Sequence, residues 1–184
     1  MIGGTPLYKS VKVSVNPTVL NEIKNYLDTH NLGNRGLEDG DKRKQLVGLL
    51  GEVLLIEKLT GTPINLNQRQ DGFDGGFDLA YKGHHIDVKT MERKSYVRGQ
   101  YVNNFYIMQE RYVADIIVFC SFHAGENILE ICGWIYKNEL PQVGKFYKKG
   151  TNRLRADGTS FEFRQDNYEV ENKDLRPIKE LIDL

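Results

Sequence analysis

Two aspartates and a lysine flank a short glycine turn with the spacing of a β-hairpin. Asp78 precedes the turn, and Asp87 and Lys89 follow it. With a two-residue turn at Gly83 and His84, Asp78 faces Lys89, and Asp87 is its diagonal neighbour, about 7–8 Å away between Cα atoms. Because side chains alternate along strands, all three then lie on one face. A four-residue turn preserves this arrangement, whereas a three-residue turn sends Asp78 to the opposite face.

The other face of the same hairpin is apolar. It carries Leu79, Tyr81, Ile86 and Val88. Alternation therefore predicts a hairpin that is buried on one side and presents two acids and an amine on the other. The plainer interpretation is a solvated strand face with one surface ion pair, because any half-exposed strand shows the same alternation.

Two carboxylates that converge can share one hydrated divalent cation. Mg²⁺ accepts two carboxylates together with a backbone carbonyl and waters. Such a cation polarises a phosphoryl oxygen and lowers the pKa of bound water. Lys89 would lie beside it, where the side chain can hold the attacking water as an ammonium or deprotonate it as a neutral amine, a role that suits lysine because its pKa falls readily on desolvation. The three residues therefore favour metal-dependent phosphodiester hydrolysis.

A single acid lies inside an apolar helical segment upstream of the hairpin. Asp41 can cap this helix, which is predicted to run to about Thr60, where Gly61 and Pro63 end it. The leucines and valines of the segment cover much of its circumference, so the helix should be largely buried. Glu52 lies within it, and a buried carboxylate needs a partner or an ion. The alternative is a simple pairing of Glu52 with a basic side chain at the helix surface.

Together these segments resemble the PD-(D/E)XK nuclease superfamily. Phe77-Asp78 and Ile86-Asp87-Val88-Lys89-Thr90 match its Asp…(Asp/Glu)-X-Lys signature, with Phe77 where the name-giving proline would stand. Gly51-Glu52-Val53 matches the upstream helix that contributes a glutamate in this family. The resemblance extends over roughly residues 41–122.

The resemblance implies a restriction-endonuclease-like core, an α/β fold whose central mixed β-sheet of four to five strands is flanked by helices. It implies Asp78 and Asp87 as metal ligands, the backbone carbonyl of Val88 as another, and Glu52 as an accessory acid and further candidate ligand. Lys89 is then the water-activating residue. The implied cofactor is Mg²⁺, with Mn²⁺ as its substitute, and the implied substrate is DNA, cleaved with a 3′ leaving oxygen.

Periodicity and turn residues predict the elements that position this site. A short strand in 8–15 should precede a helix opened by Asn16-Pro17. The continuous apolar run at 114–122 predicts a strand buried on both faces, and Ile128–Tyr136 a second strand after it. The remaining expectations are a polar loop or flap at 65–76, loops at 91–104 and 145–155, a short strand or helix at 105–112, one or two short strands at 161–170, and a terminal helix at 174–184.

Basic residues in two places, and one glutamine, are candidates for contacts with a phosphate backbone. Arg93, Lys94 and Arg98 follow the Asp-Val-Lys strand directly, so they emerge beside the expected metal. Lys148 and Lys149 belong to the late basic loop, and Gln109 is a further residue that could face the site. A solvated charged face is the alternative for each cluster.

Composition limits the class of protein. The chain has 184 residues, of which 40% are hydrophobic and 27% charged, so one globular domain over 1–184 is expected. Its core should lie at about 41–136, and 137–184 should form a C-terminal extension with the basic loop, short strands and terminal helix. A formal net charge of zero excludes a global basic field, so a nucleic-acid surface must be local.

The cellular setting follows from a few features of the sequence. Cys120 and Cys132 are too few for a disulfide framework and lie in apolar runs, which indicates buried thiols in a reducing compartment. Neither a secretory signal nor a membrane-spanning apolar run is evident. A cytoplasmic location without a membrane partner is therefore expected.

The leading hypothesis is a Mg²⁺-dependent nuclease that hydrolyses DNA, of the restriction, junction-resolving, repair or phage DNA-processing type. Cutting two strands with one site per chain would favour a homodimer. The alternative is a non-catalytic nucleic-acid-binding or interaction module on the same fold. Hydrolysis of another phosphodiester, such as RNA, is a third interpretation.

Overall fold

A mixed five-stranded sheet forms the centre of the computed structural model, which describes residues 8–30, 32, 41–68, 76–155 and 158–184. Its strands are β1 (Val11–Ser14), β2 (Leu79–Tyr81), β3 (His84–Arg93), β5 (Ile116–His123) and β6 (Ile128–Tyr136), in the spatial order β1-β6-β5-β3-β2. β3 and β5 run parallel, and the other neighbours are antiparallel. The prediction of an α/β fold with a mixed sheet is confirmed.

The two long helices begin at the predicted caps. The Asn16 side chain accepts a hydrogen bond from the Thr18 N–H at 2.9 Å, and helix α1 spans Pro17–Thr29. Asp41 accepts from the Lys44 N–H at 2.8 Å, and α2 spans Lys42–Thr60. These side chains satisfy backbone N–H groups that have no partner inside the helix. The predicted starts of both helices and the predicted end of α2 are thus confirmed.

The β2–β3 hairpin turns one residue earlier than predicted. Tyr81 pairs with His84, so the turn residues are Lys82 and Gly83, both with positive φ (49° and 83°). This backbone twist matches that of the paired strands, and glycine adopts it without strain. The predicted turn at Gly83 and His84 is therefore wrong. Because the turn still holds an even number of residues, the faces of the hairpin keep their predicted parity.

The central sheet packs against the helices on one face. Ile86 and Val88 of β3 join alternate residues of β5 and the apolar surface of α2 in a first core, and Leu79 and Tyr81 pack against it. The apolar face of the hairpin is therefore the face that alternation predicts.

A second sheet covers the opposite face. It consists of β4 (Val102–Tyr106), β10 (Asn167–Glu171) and β7 (Lys145–Tyr147), in the order β4-β10-β7. Phe105 and Val170 from this sheet pack with Ile117 and Phe119 of β5 in a second core. The central sheet therefore lies between helices and a second sheet.

Shorter elements complete the described chain. β8 (Asn152–Leu154) and β9 (Ser160–Glu162) form a two-stranded ribbon. Helix α3 covers Leu140–Val143 and α4 covers Ile178–Ile182. The terminal helix predicted at 174–184 is therefore present, but it is shorter and begins only after Pro177. Within the described ranges, no helix combines the length and the apolar character needed to cross a bilayer.

Two of the predicted loops contain strands. β3 continues to Arg93 and β4 begins at Val102, so regular structure occupies both ends of 91–104. The basic segment 145–155 contains β7 and β8. Local polarity failed for β4 and β7 because the more distant β10 supplies their hydrogen bonds, whereas β8 pairs with the neighbouring β9. β4 pairs with β10, which joins the predicted core to the predicted C-terminal extension.

Candidate active site

The candidate site lies where β2 leaves the edge of β3. β2 pairs only with His84–Ile86, and the chain just before β2 then supplies Asp78. The Asp78 N–H donates to the Ile86 carbonyl at 2.8 Å, and its Oδ2 accepts from the Val88 N–H at 2.7 Å. The Asp78 carboxylate thus takes the place of a partner strand. Because the N–H and C=O of one strand residue point to the same edge, the Val88 carbonyl also faces this edge.

Asp87 and Lys89 lie on the face of β3 away from the helices. Lys89 Nζ is 2.8 Å from Asp87 Oδ1 and 2.7 Å from Oδ2, so the ammonium bridges both oxygens. Both side chains retain limited access to solvent, at 22% for Lys89 and 12% for Asp87. The pair is therefore sheltered enough to interact strongly and open enough to meet a substrate.

A close contact between α2 and β3 brings Glu52 to the same edge. A Cβ built on Gly51 would lie 1.8 Å from Thr90 Oγ1, so only glycine permits this approach of helix to strand. Glu52 follows directly on α2 and is half-buried. Its negative charge acts on the Asp78 carboxyl group and raises the pKa of that group. The sequence predicted the glutamate, but the contact of Gly51 with Thr90 was not anticipated.

Electrostatic interactions therefore link four predicted residues from three separate segments, namely Glu52, Asp78, Asp87 and Lys89. Desolvation raises the pKa of Asp78 well above its usual value, and the charges of Glu52 and Asp87 raise it further. The charge of Lys89 and the hydrogen bond from the Val88 N–H lower the pKa of Asp78, but by less than the other effects raise it. Although Asp78 as a residue is only half-buried, its carboxyl group has two other carboxylates as neighbours. Three acids and one amine leave an excess of negative charge at the edge of β3.

The raised pKa predicts how replacement of Asp78 changes the stability of the metal-free protein. The folded state retains the Asp78 proton to higher pH than the unfolded chain, so this group destabilises the fold as pH rises from about 4. We expect Asp78→Asn, which keeps the acceptor for Val88, to raise the melting temperature in EDTA at pH 7 and to change it less near pH 4. Thermal unfolding at both pH values measures this, and a lower melting temperature at pH 7 would contradict it.

Asp115 anchors the hairpin that carries the site. Its Oδ2 lies 2.6 Å from His84 Nδ1, and its Oδ1 accepts from the His85 N–H at 2.7 Å. Burial acts to raise the pKa of Asp115, but these hydrogen bonds outweigh it and the pKa is lowered. Asp115 thus ties the start of β3 to the segment before β5. Only its position ahead of a buried strand marks it in the sequence.

The donor set fits a hard divalent cation. Asp78 and Asp87 offer carboxylate oxygens, and the Val88 carbonyl faces the same edge. Mg²⁺ is commonly held by one or two carboxylates and keeps several waters, so this set suffices. Throughout the described part of the chain, however, no three His, Cys, Asp or Glu side chains are arranged as a metal-binding group. The acids are close together, but in this structure Asp87 forms an ion pair with Lys89.

The basic residues after β3 differ in their surroundings. Arg93 is half-buried, and its Nη2 donates to the Val102 carbonyl at 2.5 Å. Burial lowers the pKa of its guanidinium, and Tyr101 lies beneath it at 5.6 Å. Arg93 therefore joins β3 to β4, while Lys94 and Arg98 are exposed and accessible to a ligand.

The other predicted contact residues lie on separate elements. Gln109 is half-buried in the 3-10 turn Ile107–Arg111. This turn precedes Tyr112. A Cβ on Gly76 would lie 2.8 Å from the Tyr112 Cβ, so the turn lies beside the segment of chain that leads into Asp78. Lys148 and Lys149 are exposed in the connection between β7 of the second sheet and β8 of the ribbon. Residues 69–75 of the predicted flap lie outside the described residues.

Comparison of the chain with models of protein families, with curated proteins and with solved structures gave no match. What the site does must therefore follow from its own geometry and chemistry.

Proposed function

We propose that the protein is a Mg²⁺-dependent nuclease that hydrolyses DNA phosphodiester bonds, on a fold of the PD-(D/E)XK type. One observation carries the proposal. Glu52, Asp78 and the Asp87–Lys89 pair come from three segments, and they meet at a strand edge that β2 leaves uncovered. An assembly of like charges is costly for a fold unless a ligand neutralises it, and such clusters mark functional sites.

Each residue has a role in this proposal. Asp78 and Asp87, with the Val88 carbonyl, would hold the cation, which when bound would polarise the phosphoryl oxygen and acidify water. Lys89 then turns from Asp87 to hold the attacking water, and it offsets the charge that grows on the phosphate. Water attacks phosphorus in line and passes its proton to the Lys89 amine, which has first lost its own proton to solvent. The bond to the 3′ oxygen breaks, and that oxygen takes a proton from solvent. Glu52 acts as an accessory acid that orients water at the same edge.

The surroundings of the site suit a phosphate backbone. The chain carries no net charge, so attraction of DNA depends on local groups. Lys94 and Arg98 are exposed just beyond the strand that carries Asp87 and Lys89. Contacts from such residues would position a strand without reading its sequence.

The direct test combines cleavage with metal binding. We expect labelled DNA to be cut with Mg²⁺ or Mn²⁺ and to remain intact with EDTA. Mg²⁺ at about ten times its dissociation constant should stabilise the native chain by about 1.4 kcal/mol, because only the folded state holds the site. Asp87→Asn should abolish both effects. Asp28→Asn, in an exposed ion pair with Lys42 at 3.1 Å, is the matched control and should behave as the native chain.

The same test addresses a second function, a non-catalytic module that binds nucleic acid. The observation that favours it is the tight pairing of Lys89 with both oxygens of Asp87. In that case millimolar Mg²⁺ or Mn²⁺ leaves stability unchanged and no substrate is cut. A panel of duplex DNA, single-stranded DNA and RNA, each with an EDTA control, separates this outcome from hydrolysis of RNA.

A further inference from the structure

The outer face of the second sheet contains a cleft that the candidate active site does not use. Phe105 and Tyr168 face one another across β4 and β10 and contact the second core, so their neighbours in sequence face outward. Tyr106 pairs with Asn167 on this outer face. The cleft has a volume of about 550 Å³, within the range of small-ligand sites. It is lined by Asn104, Tyr106, Phe161, Glu162, Phe163, Arg164 and Asn167.

Aromatic rings form a wall of this cleft. The β8–β9 ribbon and the chain after it supply Phe161 and Phe163, whose ring centroids are 4.9 Å apart. Tyr147 stacks on Phe163 at 4.6 Å with an angle of 18° between the rings. Tyr106, on the floor, is 46% exposed. Rings that remain open beside others already stacked can accept one more flat π-system.

A buried amide on the floor supplies an unused hydrogen-bond acceptor. Asn167 has no exposed surface, and its Nδ2 donates to Asn104 Oδ1 at 2.9 Å. Among the described residues, nothing donates to its Oδ1. A buried polar atom without a partner is costly, so its retention beside a cleft points to a ligand with an N–H donor.

The segment around the cleft is basic in a chain without net charge. Residues 145–167 contain six Lys or Arg and three Asp or Glu. Lys148 and Lys149 are exposed, and the turn that follows them is bonded to Phe163 through Gly150, whose N–H donates to the Phe163 carbonyl at 2.8 Å. A positive rim beside exposed aromatic rings is the combination that binds single-stranded nucleic acid.

We propose that this cleft binds an unpaired nucleobase of single-stranded DNA, with the backbone running over Lys148 and Lys149. The inference deepens the proposed nuclease function and rests on it. The ring stacks on Phe161 and Tyr106, and a base N–H donates to Asn167 Oδ1. β4 continues from the cleft into the 3-10 turn Ile107–Arg111 that adjoins the entry to Asp78. DNA held in the cleft would therefore extend toward the catalytic edge.

Binding of a fluorescent oligothymidylate, followed by anisotropy, tests the proposal on the Asp87→Asn chain in EDTA, where cleavage is prevented. We expect Tyr106→Ala and Phe161→Ala each to weaken binding by about fivefold or more, as loss of base stacking does. Phe146→Ala is the matched control, because Phe146 is 48% exposed on β7 but packs against Tyr168, outside the cleft. An abasic oligomer of equal length should bind to all of these chains equally weakly.

The outcomes separate this proposal from the nuclease function. Equal binding of thymidylate and abasic oligomers, or unchanged binding by both cleft variants, would overturn the base site even if the native chain cuts DNA. Tighter binding of RNA of the same sequence would overturn the choice of DNA as ligand. Base-dependent binding that the cleft variants weaken, in a native chain that cuts nothing, would support the cleft and overturn the nuclease.

Discussion

Replacement of Lys89 by methionine is expected to lower the rate of DNA cleavage by about 10²–10⁴-fold, the range associated with loss of a group that transfers or holds a proton. Methionine keeps the length of the side chain and removes the ammonium, which lies 2.7 Å from Asp87 Oδ2. Lys89→Arg is the informative second variant. Arginine restores the positive charge but cannot give up a proton. Cleavage rates at saturating Mg²⁺ measure both.

Stability must be followed in the same variants, because loss of Lys89 leaves the Asp87 carboxylate sheltered without its partner. The double variant Asp87→Asn/Lys89→Met removes both charges and should recover stability without recovering cleavage. Lys24→Met, at an exposed position on α1, should be indistinguishable from the native chain. Full cleavage by a folded Lys89→Met chain would remove the basis of the proposed mechanism, and full cleavage by Lys89→Arg would reduce Lys89 to a fixed charge.

Replacement of Gly51 by alanine is expected to destabilise the protein by about 1–3 kcal/mol and to impair cleavage as well. The added Cβ would lie 1.8 Å from Thr90 Oγ1 and 3.0 Å from Thr90 Cβ, so α2 must move away from β3. Glu52, the next residue, moves with the helix, away from Asp78. Chemical denaturation measures the first effect and the cleavage rate the second.

Gly48 is the matched control for this substitution, since it lies in the same helix with nothing within 4 Å of a built Cβ. Gly48→Ala should leave cleavage unchanged and stabilise the helix by about 0.5–1 kcal/mol. Thr90→Ala removes the hydroxyl and methyl that collide with the new Cβ, so adding it to Gly51→Ala should recover part of the lost stability. If Gly51→Ala matches Gly48→Ala in both measurements, the close contact does not position Glu52.

Local sequence was sufficient for the elements whose physical cause is local. Asn16 and Asp41 satisfy N–H groups within their own first turns, so each helix start could be located without knowledge of the fold. Side chains alternate along any strand, so the parity of Asp87, Lys89 and the apolar Ile86 and Val88 also followed from the sequence. The apolar run at 114–122 predicted a strand buried on both faces because it has no polar alternation, and β5 is buried throughout.

Tertiary structure decided whatever depended on partners far away in the chain. The hairpin turns at Lys82 and Gly83 rather than one residue later, and Asp78 bonds to the Val88 N–H at an edge that β2 does not reach. The second sheet forms because β4 and β10, some sixty residues apart, supply each other's hydrogen bonds. Residue types and spacing therefore selected the acids and the amine. Their meeting with Glu52, and the aromatic cleft beyond them, depended on long-range packing that no local pattern encodes.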